Sequence, residues 1–236
     1  ANLLSGHRDL ANPAHRAEVA ALWGVPSVPD KPGKTAVEMF QAAADGEIKA
    51  LWITCTNPAQ SLPDQATVRR ALQRAEFVVV QEAFATAATC DYADLLLPAT
   101  TWGEKEGTVT NSERRISRVR AAVAPPKAEG SADAPRHDWQ IAVDFARRLE
   151  RLLSARPAPV AEPFDGAQDR PGPALPVKGL FPYSTPESLW NEHRESTRGR
   201  DLDITGLSYA MLDAAPQHWP LPEGATGGRA RLYEDG

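Results

Sequence analysis

Three short apolar runs in the first half of the chain alternate with amphipathic segments. The runs cover residues 49–55, 77–80 and 93–97 and are rich in strand-forming residues. Between them, apolar residues recur at the three- and four-residue spacing of helices. This alternation predicts an α/β fold with a mostly parallel, Rossmann-like sheet and flanking helices. Because the run at 77–80 does not alternate with polar residues, we expect both faces of the sheet to be covered.

Local signals predict where the helices around this sheet begin and end. Thr35 and Glu38 have the spacing of a capping box, and Gly46 is suited to end the helix that follows. Asp64 is a candidate N-cap for the next helix. Further helices are expected at 13–22, 85–90, 138–153, 186–194 and 207–213. The helix at 138–153 has an apolar stripe formed by Ile141, Phe145, Leu149 and Leu152.

Composition divides the chain into three parts. Residues 1–153 form the predicted α/β domain, in which alternating polar and apolar residues at 107–119 indicate an extended segment or a hairpin. Residues 154–179 are rich in proline, alanine and glycine, and we interpret them as a disordered linker or insertion. Residues 180–236 form a loop-rich, partly helical segment.

Charge and residue counts exclude several classes of function. The net charge is -5, which argues against non-specific nucleic-acid binding. No apolar run approaches the roughly 20 residues of a membrane span, and no signal peptide is visible. The five histidines are scattered and the two cysteines do not form a Cys-x-x-Cys motif, so no metal ligand is assigned. Cys55 and Cys90 are interpreted as small buried residues near strand ends.

Candidate ligand contacts come from the rule that parallel sheets bind ligands beyond the carboxyl ends of their strands. Asn57 follows the first run, and Gln81 and Glu82 follow the second. A carboxylate there suits ribose hydroxyls or the N–H edge of guanine, while Lys105 offers a cation for a diphosphate. Asn57 is equally typical of a turn before proline, and residues 104–106 equally typical of a solvated loop. Both a dinucleotide-binding glycine motif and a Walker loop are missing.

A long motif extends these inferences. The third run, Ala93-Asp-Leu-Leu-Leu-Pro98, leads into Trp102-Gly-Glu-Lys-Glu-Gly-Thr-Val-Thr-Asn-Ser-Glu-Arg-Arg115. It resembles the molybdenum oxidoreductases that bind bis(molybdopterin guanine dinucleotide), and the similarity covers residues 1–153 and 180–236. The resemblance implies cofactor contacts from Asn57, Gln81, Glu82, Lys105 and Asp138, the last of which would otherwise be a helix N-cap. The cluster at 113–115 could hold a phosphate, contact a neighbouring domain or pair with Glu104 and Glu106; we favour a structural role.

Shorter motifs are similar to those of the assimilatory nitrate reductases within that superfamily. They are Gly6-His-Arg-Asp, Cys55-Thr-Asn-Pro, Asp203-Ile-Thr-Gly and Gln217-His-Trp-Pro. Formate dehydrogenases share the long motif but tend to have Gly-Glu-Asn-Pro at the second of these positions. A formate dehydrogenase alpha-type subunit and a non-catalytic nucleotide-binding module are therefore the alternatives.

The resemblance implies reduction of nitrate to nitrite at molybdenum by a cytoplasmic enzyme. Electrons would come from ferredoxin, flavodoxin or an NADH-linked reductase subunit through a [4Fe-4S] cluster. The chain lacks the cysteines for that cluster and for molybdenum. We therefore expect an interior fragment, truncated at its N-terminus and preceding a further pterin-binding domain, with no catalytic residue of its own.

Overall fold

A computed structural model describes residues 4–126, 134–155 and 179–232 of the chain. The helices are α1 (Pro13–Trp23), α2 (Ala36–Asp45), α3 (Pro58–Ser61), α4 (Gln65–Arg74), α5 (Asp138–Ser154), α6 (Pro186–Ser196) and α7 (Tyr209–Ala214). The strands are β1 (Ala50–Thr54), β2 (Phe77–Glu82), β3 (Leu95–Pro98), β4 (Gly107–Thr110), β5 (Arg115–Val119) and β6 (Gln217–His218). The chain divides into two compact units. The sheet unit comprises Gly33–Lys105 and Arg120–Ile141; the hairpin unit comprises Ala1–Pro32, Glu106–Val119 and Ala142–Gly236.

The sheet unit contains a parallel sheet of three strands in the order β1-β2-β3. Its register pairs Thr54 with Gln81 and Gln81 with Leu97, so the carboxyl ends of the strands lie side by side. The α/β fold class predicted from the apolar runs is therefore confirmed. A core of β1, β2, α2 and α4 side chains covers one face of the sheet, and it includes Phe40, Leu51, Ile53, Val68, Leu72, Val78 and Val80.

The predicted helix signals form as expected in the sheet unit. The Thr35 side chain accepts a hydrogen bond from the Glu38 N–H, and the Glu38 carboxylate accepts one from the Thr35 N–H, which completes the capping box of α2. Gly46 ends α2 in the left-handed conformation with φ 85°. The carboxylate of Asp64 accepts from the Thr67 N–H at the start of α4.

The expectation that the sheet is covered on both faces is wrong for the described residues. β1 alternates between buried and exposed residues, and on its uncovered face Trp52 is 38% exposed. On the same face, Phe77 of β2 is 45% exposed and Leu95 of β3 is 43% exposed. The reason is that α2 and α4 share one core on the opposite face, while the connection from β2 to β3 has only a short 3-10 helix, Ala88–Tyr92. That 3-10 helix replaces the helix predicted at 85–90.

In the hairpin unit, β4 and β5 form an antiparallel hairpin, which settles the alternative left open for residues 107–119. β6 pairs with β5 on its other edge. The core of this unit comes from β5, α6, α7 and the loops beside them, and consists of Ile116, Trp190, Ile204, Leu207, Tyr209, Leu212 and Leu221. The predicted helices in the C-terminal part are therefore present, and they pack around one apolar cluster.

Two further sequence predictions concern α5 and the segment after it. α5 forms over the predicted range, but only Ile141 of its stripe is buried, while Phe145, Leu149 and Leu152 are 50%, 41% and 69% exposed. The proposed linker lies almost entirely outside the described residues and stays a prediction. Within the described ranges, no helix is both long and apolar enough to cross a membrane.

Candidate functional site

The candidate site lies in the sheet unit, where β1 and β2 end. Cys55 follows β1, and its N–H donates to the carbonyl oxygen of Gln81. Gln81 and Glu82 are the last residues of β2. Gln81 is only 2% exposed, whereas the Cys55 side chain faces solvent. The rule-based choice of strand ends therefore brings a buried amide and an exposed thiol to one edge of the sheet.

Asp138 reaches the same edge although it is distant in sequence. The segment before α5 lies beside the end of β3, because Ala99 and Arg136 form a parallel bridge. The Thr100 N–H donates to the Arg136 carbonyl, and the Thr100 hydroxyl lies 3.1 Å from Nδ1 of His137. Asp138 then begins α5 directly beyond this bridge. The bridge thus brings the Asp138 carboxylate to the strand ends.

Three donors converge on the Asp138 carboxylate. Gln81 Nε2 donates to Oδ1 at 2.9 Å, and Cys55 Sγ donates to the same oxygen at 3.4 Å. Lys105 Nζ donates to Oδ2 at 2.7 Å. The side chains of Lys105 and Asp138 are 28% and 27% exposed, so this ion pair is half-buried rather than superficial. Gln81, Lys105 and Asp138 of the predicted cofactor contacts are therefore one cluster, to which Cys55 adds.

The electrostatics of the cluster favour a charged carboxylate and a neutral thiol. Burial raises the pKa of Asp138, but the hydrogen bonds from Lys105 and Gln81 and the charge of Lys105 outweigh it and leave that pKa below its usual value. Burial and the neighbouring Asp138 carboxylate raise the pKa of the Cys55 thiol. At neutral pH the site therefore presents an anionic acceptor beside a cationic donor.

Lys105 is positioned by the turn that precedes it. The 3-10 helix Trp102–Glu104 is capped by Thr101, whose N–H donates to the Glu104 carboxylate at 2.8 Å. Glu104 is therefore used in a local cap and not in a solvated charged loop. The Gly103 carbonyl accepts from the N–H groups of Ala122 and Val123, which holds this turn against the chain leaving the hairpin.

Asn57 lies in the loop after β1, and its side-chain amide is hydrogen-bonded within the sheet unit. Its Oδ1 accepts from the N–H and the hydroxyl of Thr89, at 3.1 and 2.7 Å, and its Nδ2 donates to Gln60. Thr89 is fully buried. The amide of Asn57 therefore ties the start of α3 to the 3-10 helix Ala88–Tyr92. Its predicted contact with a cofactor remains a prediction, and the second N–H of Nδ2 can make that contact without exchanging these bonds.

The Glu82 carboxylate is hydrogen-bonded to the backbone directly after its own strand. Its Oε1 accepts from the N–H groups of Ala83 and Phe84, at 2.7 and 3.3 Å. Among the described residues no hydrogen bond to Oε2 is found, so that oxygen can serve an external donor. Phe84 is 64% exposed beside it. Glu82 thus stands at the strand end without joining the cluster on Asp138.

The cluster at 113–115 has the structural role that the sequence favoured. Arg115 pairs with Glu113, and the Arg114 guanidinium donates to the carbonyls of Trp219, Arg229 and Ala230 while lying 5.2 Å from the Trp219 ring centre. The suggested pairing with Glu106 belongs instead to Arg118, which lies three residues after Arg115 on β5. These contacts join the β4–β5 hairpin to the C-terminal residues of the same unit.

Sequence reasoning missed Cys55 as part of the site. Cys90 is buried as predicted, but Cys55 is exposed, so its interpretation as a buried filler is wrong. Its position in the sequence could have indicated this, because Cys55 comes directly after a strand, where the chain leaves the core. Within residues 4–126, 134–155 and 179–232, no three His, Cys, Asp or Glu side chains come together as a candidate metal site.

Comparisons of the sequence with known proteins identify one family. The family model described as Molybdopterin oxidoreductase matches residues 5–148. The assimilatory nitrate reductase catalytic subunit of Bacillus subtilis (strain 168) is 36% identical over 238 residues, covering 100% of this chain and 29% of the relative. Formate dehydrogenase H of Escherichia coli (strain K12) is 37% identical over 144 residues, covering 61% of this chain and 19% of the relative.

A solved structure supports the fold alone. Acetylene hydratase from Pelobacter acetylenicus superposes with a TM-score of 0.54 at 18% identity, covering 83% of this chain and 23% of that protein. The chain thus spans less than a third of the length of each of these relatives.

Proposed function

Since the chain belongs to the molybdopterin oxidoreductase family, we propose that its sheet unit binds a guanine nucleotide of a bis(molybdopterin guanine dinucleotide) cofactor. The observation behind this proposal is the cluster of Gln81, Lys105 and Asp138 where the parallel strands end. We further propose that the whole protein reduces nitrate to nitrite. Both statements concern an enzyme of which this chain is one part.

The chemistry of the cluster fits a guanine nucleotide. A carboxylate oxygen accepts about two hydrogen bonds, so Asp138 Oδ2, which receives one from Lys105, retains a position for a ligand N–H. The Lys105 ammonium has two further protons for a carbonyl or phosphate oxygen of the ligand. An N–H beside an oxygen acceptor is what the edge of guanine presents. The half-buried position of the pair reduces competition from water.

The remaining predicted contacts take supporting roles in this proposal. Gln81 holds the Asp138 carboxylate from the buried side. Glu82 offers Oε2 to a ribose hydroxyl or an N–H at the neighbouring strand end. Asn57 maintains the loop after β1 and contacts the ligand only through a group not held by Thr89 and Gln60.

When bound, the molybdenum cofactor supplies the two-electron chemistry, and the residues of this chain bind and orient its nucleotide. We propose that the [4Fe-4S] cluster and the metal-binding cysteine lie outside the chain. The electron donor is proposed to be ferredoxin, flavodoxin or an NADH-linked reductase subunit. We propose a cytoplasmic location for this enzyme.

The choice of nitrate over formate is supported by the extent of similarity. The nitrate reductase relative matches the whole chain, including residues beyond α5, whereas the formate dehydrogenase relative matches only 61% of it. Sequence identity is nearly equal in the two comparisons, so the share of this chain that each relative covers separates them. The greater coverage, together with the motif at Asp203, therefore favours the nitrate-reducing group.

An activity assay on the whole protein tests the substrate. We expect nitrite to form from nitrate with a reduced viologen dye, and we expect no dye reduction when formate is offered to the same preparation. Formate oxidation without nitrite formation would contradict the substrate and leave the nucleotide proposal standing. Turnover of neither substrate by a preparation loaded with molybdenum would contradict both assignments of activity.

A binding assay tests the cofactor contact. Acid treatment of the purified protein should release GMP at twice the molar amount of molybdenum, as the bis form requires. Glu82→Ala should lower the molybdenum content and the released GMP together, because the ribose or base loses an acceptor. Glu76→Ala is the matched control, since Glu76 is exposed and forms an ion pair with Lys49 on the surface. Full cofactor content in Glu82→Ala would remove Glu82 from the site.

A further inference from the structure

Cys55 has a backbone conformation that residues other than glycine seldom adopt. Its φ is 57°, in the left-handed region that glycine enters readily and other residues enter at a cost. The residue is exposed and does not belong to the apolar core of the sheet unit. Packing therefore does not explain a side chain at this position, and such strain is usually kept where the side chain has a use.

The thiol donates the second of two hydrogen bonds that one oxygen of Asp138 accepts. Gln81 Nε2 at 2.9 Å and Cys55 Sγ at 3.4 Å both donate to Oδ1. Because a carboxylate oxygen accepts about two hydrogen bonds, Oδ1 is filled. Oδ2 accepts from Lys105 and keeps one position. The thiol and the amide thus decide which oxygen is left for a ligand.

We propose that Cys55 is a positioning residue for nucleotide binding. By donating to Oδ1, its thiol orients the Asp138 carboxylate so that Oδ2, beside the Lys105 ammonium, receives the N–H of the ligand. Burial and the Asp138 carboxylate raise the pKa of the Cys55 thiol, which keeps it protonated and able to donate at neutral pH. This inference rests on the proposed function, because it assigns the ligand of Asp138 to a nucleotide.

Substitution by glycine separates this role from a merely structural one. The protein is expressed in a host that cannot make molybdopterin, and GDP binding is measured by titration calorimetry. Cys55→Gly should bind GDP about three- to tenfold more weakly, because one hydrogen bond to the carboxylate is lost. Its unfolding midpoint should be unchanged or higher, because glycine relieves the left-handed backbone. Cys55→Ala should weaken GDP to a similar extent without that relief.

The changes in GDP affinity and in stability together distinguish a positioning role from a structural one. A structural role predicts that affinity and stability change together, whereas a positioning role predicts weaker binding in a protein that is equally or more stable. GDP affinity within twofold of the unsubstituted protein in both variants would overturn the proposal. Asp138→Asn serves as the reference variant, since the nucleotide proposal requires it to lose most GDP binding.

Alkylation of the thiol gives a readout that does not depend on the nucleotide. The rate at which iodoacetamide modifies Cys55 is followed against pH by mass spectrometry, with the buried Cys90 as internal control. Asp138→Asn should shift the Cys55 profile to lower pH, because the carboxylate raises the pKa of the thiol. An unchanged profile would overturn the thiol–carboxylate contact. Failure of the unsubstituted protein to bind GDP would instead contradict the proposed function, and the alkylation profile alone would then decide whether Cys55 holds Asp138.

Discussion

Replacing Asp138 by alanine tests whether the carboxylate joins the start of α5 to the sheet edge. The substitution removes the acceptor of three side chains, Gln81, Lys105 and Cys55. It also removes a negative charge from the first turn of a 17-residue helix. The fold around the site otherwise keeps the bridge between Ala99 and Arg136, so the effect reports on the side chain.

The size of the effect follows from the environment of each partner. The pair with Lys105 is about one quarter exposed and is worth roughly 1 kcal/mol. Gln81 is buried, and its amide would keep only a 3.5 Å contact with the Asp138 carbonyl, which costs about 1–3 kcal/mol. The bond from the exposed Cys55 thiol contributes about 0.5–1 kcal/mol, and the helix-dipole interaction contributes a few tenths of a kcal/mol. We expect Asp138→Ala to lower the free energy of unfolding by about 3–5 kcal/mol.

Asp138→Asn should cost less than the alanine variant. Its carbonyl oxygen can still accept from Gln81, and mainly the attraction to Lys105 is lost. The assay is urea unfolding followed by far-ultraviolet circular dichroism at neutral pH without nucleotide. Asp91→Ala is the matched control because Asp91 is an exposed residue of the same unit, and we expect it to change stability by less than about 0.5 kcal/mol.

The pH dependence provides a second test of the same variant. The pKa of Asp138 is lowered in the folded protein, so its contribution to stability is present above the unfolded pKa of about 3.9 and is lost as pH falls through the folded value. The difference between Asp138→Ala and the unsubstituted protein should therefore shrink below about pH 4. A loss no larger than that of Asp91→Ala at neutral pH would refute the reasoning.

Three further predictions concern the supporting elements. Thr35→Ala should lower the free energy of unfolding by about 1 kcal/mol in thermal melts, because α2 loses its N-cap; Thr35→Ser should restore it, and equal melts would contradict the cap. Gly46→Ala should cost about 1–2 kcal/mol by urea titration, since φ is 85°, and an unchanged midpoint would argue against that conformation. Burial raises the pKa of Asp203, but hydrogen bonds from Thr205 and Gly199 outweigh burial and leave that pKa below its usual value. Asp203→Asn should therefore flatten the loss of stability below about pH 4, and parallel pH curves would contradict this.

Local patterns in the sequence predicted the sheet unit well because they report on short-range physics. A short run rich in β-branched residues such as that at 77–80 favours a strand, and the Thr35–Glu38 pair caps a helix through bonds within one turn. The strand-end rule then selected Gln81 and Glu82 without further information. These features depend on residues fewer than about five positions apart, or on the direction of a strand.

The uncovered sheet face shows where such patterns fail. The run at 77–80 is apolar on both sides, as in a sheet covered by helices on each face. Yet Phe77 and, in the next strand, Leu95 are exposed, because α2 and α4 pack together on one side. The periodicity of a sequence indicates which side chains favour burial, but it does not indicate which segment packs against them.

The sequence by itself determined the parallel α/β unit, its helix caps and the strand ends at which a ligand would bind. Only the tertiary structure decided which side chains meet there. It turned the Asn57 amide inward to Thr89 and brought Asp138 to Gln81 and Lys105 through the bridge at Ala99. The physical reason is that a hydrogen bond forms over about 3 Å in space, whereas these partners lie 32 to 57 residues apart in the chain.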